Sequence, residues 1–201
     1  TIPFQNEWKR IKSIIKIFKK KHPKILLSID TRKSEIKKKS ISYKADIIND
    51  VSGFNFDEQS ILEVKNKNLW KVIHHMKGTP ATMQINPKYK NVLLDIYDFF
   101  EDKINSLLKE KKYTDKIILD PGIGFGKNLK HNLMIINKIS LFHSLGFPIL
   151  IGTSRKKFIG EISGRFDNKS RIGGTLSSVL LALSQGVQIF RVHNVEEIKQ
   201  G

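Results

Sequence analysis

The chain has 201 residues of which 39% are hydrophobic, enough for one sizeable domain that buries about 70% of the surface its unfolded chain exposes, and this excludes disorder as the main state. Its 36 Lys and Arg against 19 Asp and Glu leave a formal charge of +17, divided as 20 − 10 = +10 over residues 1–100 and 16 − 9 = +7 over residues 101–201. So even a spread describes a solvated basic surface and not a nucleic-acid arm, while the absence of cysteine excludes disulfides, thiolate zinc sites and a Cys nucleophile.

In chain order, Trp8, Ile11, Ile14, Ile15 and Phe18 recur at three- and four-residue spacing, which predicts a helix capped by Asn6 with lysine on its other face. The apolar run Lys24–Ile29 is too short for a helix and reads as a buried strand ending at Asp30 and Thr31. The same unit repeats as helix Ser34–Tyr43 and strand Asp46–Ile48 ending in Asn49-Asp50, then as helix Glu58–Lys67 and strand Trp70–Ile73 ending in His74-His75. A longer helix, Val92–Lys111, leads into strand Lys116–Leu119 and Asp120. Helix Asn132–Phe142 precedes strand Pro148–Ile151, and helix Gly174–Ser184 precedes strand Val187–Phe190 with Arg191-Val-His193 after it. No apolar run approaches the roughly 20 residues of a membrane-spanning helix, and the lysine-interrupted start has no signal-peptide pattern, so a soluble, cytoplasmic chain is expected.

Strands alternating with helices of ten or more residues predict βαβ units and a parallel sheet in a single domain over residues 1–201. That leaves an open doubly wound sheet or a closed barrel, and an eight-stranded barrel takes about 250 residues. The informative pattern is that every predicted strand delivers a reactive or hydrogen-bonding group at its C-terminal end, which in a parallel sheet is the ligand-binding face. Asp or Ser after a strand is often a helix cap, but Lys, Arg and His cap poorly. The stretch Asp120–Lys127 is not a phosphate loop, because Pro121 stands where the first glycine should be and Asn128 where Ser or Thr should be, and Lys127 takes the place of the third glycine of a dinucleotide fingerprint. What remains is a strand delivering a carboxylate, then a loop lean enough for a flat ligand to approach, with Phe125 able to stack. His74-His75-Met76 lacks zinc-protease spacing, and packing or orientation is the expected role of the two histidines.

Ser28-Ile-Asp-Thr31, Ala45-Asp-Ile-Ile-Asn-Asp50, His75-Met76 with Gly78-x-Pro80 and Thr82-Met-Gln84, Leu119–Asn128, Gly152-Thr-Ser-Arg-Lys156 and Arg191-Val-His193 together closely resemble the dihydropteroate synthase family, from about Lys24 to Glu197. The resemblance implies a TIM-type (β/α)₈ barrel and a transferase of folate biosynthesis, a sulfonamide target. The reaction it implies joins 6-hydroxymethyl-7,8-dihydropterin diphosphate to p-aminobenzoate and releases diphosphate. A noncatalytic pterin-binding remnant and a pterin-dependent methyltransferase domain are the alternatives. It further implies Asp120 and Asn49 on the pyrimidine edge of the pterin, Asp30 at the other ring, Lys156 donating to the pterin carbonyl and ring nitrogen, and Met76 and Phe125 on the ring faces. Arg191 and His193 match the diphosphate anchors, and Ser154 and Arg155 are expected to hold the aminobenzoate; Asp30, Lys156 and Arg191 are the catalytic expectation.

Family members open with two strands whose loops, Asn-Val-Thr-Pro-Asp-Ser-Phe-like and Glu-Ser-Thr-Arg-Pro-like, do not occur in this chain. The expectation is therefore about six βα units with the first two strands absent, in a fragment or the product of an interrupted gene. Mg2+ is the implied cofactor, with its family ligand in the absent first loop and no metal ligand in this chain. A homodimer is implied, with no nucleic acid and no membrane partner. The 30 lysines are expected on helix exteriors, with only Lys156 and Arg191 singled out for pterin or anion chemistry.

Overall fold

The structure, a computed structural model, describes residues 2–109 and 115–201. Helices and strands alternate as α1 (Phe4–Lys21), β1 (Ser28–Asp30), α2 (Ser34–Ser42), β2 (Ile47–Asp50), α3 (Leu62–Lys65), β3 (Trp70–His74), α4 (Val92–Leu108), β4 (Ile117–Asp120), α5 (Leu129–Asn137), β5 (Leu150–Ile151), α6 (Lys157–Ser163), α7 (Ile172–Ser184), β6 (Ile189–Phe190) and α8 (Val195–Gln200). The strand order is β1-β2-β3-β4 in one sheet and β5-β6 in another. The pairs β1·β2, β2·β3 and β5·β6 are parallel, with Asp30 opposite Asn49, Asn49 opposite Val72, and Ile151 opposite Phe190. The α/β class with parallel strands is thus as the sequence predicts.

The chain forms two compact units. The first comprises Thr1–His74 and Asp102–Ile118, the second His75–Glu101 and Leu119–Gly201. In the first, side chains alternate across the strands as period two requires. Ile48 and Asp50 of β2 lie on one face, where Lys37 of α2 meets Asp50, and Asn49 lies on the other, where it meets Asp30. Ile36, Ile48, Val64 and Ile73 are fully buried in this unit, and Trp8 of α1 packs edge-on against Tyr43 at 5.2 Å. In the second unit Leu119 bridges to Ile149, Arg191 N–H donates to the Ile151 carbonyl, and Phe100 packs edge-on against Phe142 at 5.5 Å.

Several sequence expectations give way. Helix α1 begins at Phe4 after Pro3, whose fixed φ of −57° suits a helix start, so Asn6 lies inside the helix and is not its cap. Residues Lys24–Leu27 are not in the strand: Ile25 and Leu26 are exposed, and the Leu27 N–H donates to the Asp46 carboxylate. The helix expected over Glu58–Lys67 shrinks to Leu62–Lys65, because Asp57 accepts from the Gln59 N–H in a turn and Ser60 is drawn to Asp50. Helix α5 starts earlier than expected, at Leu129, since Asn128 caps it by accepting from the His131 N–H at 2.9 Å; it gives way to a 3₁₀ turn over Ile139–Leu145. Helix α6 had no sequence signal. The expected end of the fourth helix, Glu110 and Lys111, lies outside the described residues. The lysines are the largest correction: Lys37, Lys71 and Lys127 are buried. No helix among the described residues is long and apolar enough to cross a membrane.

Candidate functional site

In the first unit β1 and β2 end side by side, and the register that places Asp30 opposite Asn49 lets the Asn49 amide donate to Asp30 Oδ2 at 2.9 Å. Asn49 is buried, and its carbonyl oxygen Oδ1 has no hydrogen-bond partner among the described residues. A buried acceptor in that state costs free energy until a donor arrives. Behind it, on the opposite face of β2, Asp50 is held by the Lys37 ammonium at 2.7 Å, by Ser60 at 3.1 Å and by the Ser52 N–H and hydroxyl at 2.8 and 2.6 Å. Lys37 also donates to the Arg32 carbonyl at 3.0 Å and to Ser60. Burial pulls the Lys37 pKa down and Asp50 opposes the shift. His74 ends β3 with Nδ1 3.2 Å from the Val51 carbonyl.

In the second unit Asp120 ends β4 fully buried. Its Oδ1 accepts the Gly122 N–H at 2.8 Å and its Oδ2 accepts from the Arg191 guanidinium at 2.9 Å. Gly152 makes that reach possible, since a Cβ there would stand 3.0 Å from Arg191 Nη2. Lys156 stands with Nζ 4.2 Å from the centre of the Phe125 ring, a cation–π contact. Burial lowers the Lys156 pKa, Asp120 opposes this and Arg191 adds to it. Ser154 and His193 are paired through Oγ and Nδ1 at 2.9 Å. Arg155 sits in the left-handed region at φ +58° and donates to Asn194 Oδ1 at 2.7 Å. Met76 is half-buried just past β3. A cavity of about 440 Å³ beside the loop is lined by Gln84, Gly124, Lys127, Asn132, Lys156 and Lys157, among others. A larger one, about 740 Å³, runs along α5 past Leu129, Leu133 and Met134 and contains none of the strand-end residues.

These groups suit a flat, nitrogen-rich anion. In the second unit Asp120 can accept N–H donors, Lys156 donates beside a ring face, and Arg191 supplies positive charge. The family model described as "Pterin binding enzyme" matches residues 1–193. The chain belongs to the pterin binding enzyme family. Its relatives in that family include the dihydropteroate synthase of Synechocystis, 32% identical over 200 residues, with 100% of this chain and 69% of that protein covered. Another is the dihydropteroate synthase of Neisseria meningitidis serogroup B, 37% identical over 174 residues, with 85% of this chain and 61% of that protein covered. Among solved structures, the Yersinia pestis dihydropteroate synthase with a sulfonamide drug complex superposes with a TM-score of 0.94 at 31% identity, covering 99% of this chain and 72% of that one. Other solved dihydropteroate synthases of this kind hold 6HMPPP or 4-aminobenzoate (Thermus thermophilus) and 7,8-dihydropteroate (Xanthomonas albilineans). The fold class is therefore that of these barrel enzymes, and the chain spans between three fifths and seven tenths of the length of the curated relatives named here.

Asn49 is bonded to Asp30 in the first unit, and in the second Asp120 is bonded to Arg191, Lys156 lies against Phe125, and Ser154 is bonded to His193. Arg155 instead turns to Asn194. Among the described residues no three His, Asp or Glu side chains come together as a metal site. Sequence reasoning missed Lys37 and Lys127, because a lone lysine in a lysine-rich chain carries no signal of burial. Gln84, which donates to the Gly124 carbonyl, was visible only as part of a motif.

Proposed function

We propose that the chain works as a dihydropteroate synthase, joining 6-hydroxymethyl-7,8-dihydropterin diphosphate to p-aminobenzoate. The amine nitrogen forms a bond to the pterin methylene carbon, the C–O bond to diphosphate breaks with its electron pair leaving on diphosphate, and the amine gives up a proton. The observation that carries this reading is Asp120. A buried carboxylate oriented by the Gly122 N–H and a guanidinium, beside an ammonium seated over Phe125, is what an aminopyrimidinone edge and an adjoining anion call for.

Asp120 accepts the pterin N–H groups, Lys156 donates to the pterin carbonyl and ring nitrogen, and Arg191 with His193 receives the departing diphosphate, where developing negative charge is greatest. In the first unit Asn49 Oδ1 is a buried acceptor suited to a heterocyclic N–H, and the Asn49 amide holds the Asp30 carboxylate. The cavity lined by Gln84, Gly124, Lys156 and Lys157 suits an anionic aryl group such as the aminobenzoate. Mg2+ enters this reading bound to the diphosphate and without a ligand from this chain. The working form is a cytoplasmic homodimer, to which the exposed Leu180, Leu181 and Leu183 of α7 contribute apolar surface.

Isothermal calorimetry with dihydropterin diphosphate, with and without magnesium, tests the reading. Saturable binding is expected, weakened about 100-fold by Lys156→Ala. An unmodified chain that shows no heat of binding, or a Lys156→Ala variant that binds as tightly, overturns it. Binding followed by amine-dependent diphosphate release separates the enzyme from a pterin-binding remnant.

A further inference from the structure

The glycine-rich loop ends on Lys127, a residue only 2% exposed that has no task in the reaction above. Its Nζ lies 2.9 Å from His75 Nδ1, 3.0 Å from the Phe125 carbonyl and 3.4 Å from the His75 carbonyl. In its ammonium form Lys127 has donors and no acceptor, and it then donates in all three contacts. His75 is itself anchored: its N–H donates to the Asp120 carbonyl, and its ring packs edge-on against Phe99 at 5.0 Å and faces Tyr89 at 6.1 Å. Desolvation lowers the Lys127 pKa to about 7; Asp120 opposes the shift and Lys156 adds to it.

The loop needs such a fastener. Gly122, Gly124 and Gly126 all have positive φ, at +67°, +80° and +67°, and a backbone so rich in glycine fixes little by itself. Successive carbonyls are instead held one by one. Gln84 donates to that of Gly124, Lys127 to that of Phe125, and the Tyr89 hydroxyl to that of Gly126. Lys127 thus secures the one residue of the three that carries a ring, and that ring lies 4.2 Å beneath the Lys156 ammonium.

We propose that Lys127 is a positioning residue: by tying the Phe125 carbonyl to His75 it fixes the Phe125 ring under Lys156, and so sets where Lys156 meets its ligand. This rests on the reading of Lys156 as a ligand donor, but the first measurement needs no ligand. In NMR spectra of the full chain, ring current from Phe125 shifts the Lys156 ε-methylene protons upfield, and Phe125→Ala defines zero. Lys127→Met, unbranched like lysine but one atom shorter and without donors, is expected to lose most of that shift, and Lys127→Gln, with donors of shorter reach, to keep an intermediate one. The Gln variant stands alone if the Met variant does not fold. The second measurement is affinity for dihydropterin diphosphate: Lys127→Met and Phe125→Ala are each expected to weaken it about 10-fold, and the double variant also about 10-fold, because both act through one ring. An unchanged Lys156 shift in either Lys127 variant, or an additive loss of about 100-fold in the double variant, overturns the proposal. If the unmodified chain binds no pterin while the shift behaves as expected, the proposed function fails and the positioning role stands.

Discussion

Asp50 closes β2 and Asp120 closes β4, and each faces a cation: Lys37 at 2.7 Å and Arg191 at 2.9 Å. In the first pair both side chains are 0% exposed, and Ser52 and Ser60 also bind the carboxylate. In the second, Asp120 is 1% exposed while Arg191 is 42% exposed. A sealed pair has no route by which a ligand could replace either partner, and it acts to hold the strand end that presents Asn49 on its other face. A pair with one open partner can trade that partner for substrate. The same motif of strand, carboxylate and cation is therefore sealed in one unit and open to solvent in the other, and access to the cation separates the two.

The largest effect is expected of Lys37→Met, which leaves the Asp50 carboxylate buried without its cation. Urea denaturation is expected to show a loss of about 3–5 kcal/mol, with most of it regained in Lys37→Met/Asp50→Leu; a loss under about 1 kcal/mol would place the pair with weak surface bridges. Asp120→Asn comes next and reads the other way. Affinity for dihydropterin diphosphate is expected to fall roughly 10- to 100-fold, as for a lost charged hydrogen bond, while the melting temperature shifts by only a few degrees. Equal losses of stability in the two variants would erase the distinction.

The smallest effect is on pH dependence. Desolvation lowers Lys127 to about 7 and Lys71 to about 8 from an ordinary 10.5. Between those values and 10.5 the unfolded chain binds more protons than the folded one, so stability rises with pH across that window. The burial penalty is present in full below the folded pKa and is gone above the unfolded one. Lys127→Met is expected to flatten the rise in denaturation midpoint beginning near pH 7, and Lys71→Met the part beginning near pH 8. A slope unchanged in both would mean that these lysines are not desolvated.

Much of the site was legible because its signals are local. Strand ends announced themselves as apolar runs closing on Asp30, Asn49, Asp120 and Arg191, and the glycines after Asp120 announced a loop, in which Gly122, Gly124 and Gly126 take positive φ. Lys156 was legible through its motif, but its seat over Phe125 was not, since nothing in the spacing of residues 125 and 156 implies a stack. The hydrogen bond from Arg155 to Asn194 was likewise not legible, since it joins residues 39 apart in the chain. Lysine at positions 37, 71 and 127 looked like the exposed lysines around it, because burial is a property of what packs on a residue and not of the residue.

By itself the sequence determined the alternation of helix and strand, the parallel class and the family, all of which follow from hydrophobic period and from residues at strand ends. Only the tertiary structure decided which charges are solvent-facing and which are sealed. That distinction depends on neighbours far apart in the chain: Lys37 becomes scaffold because Asp50 and Ser60 close around it, and Lys127 a fastener because His75 lies within 3 Å. Taking an ammonium out of water is tolerable only where such acceptors converge, and their convergence is a fact of packing.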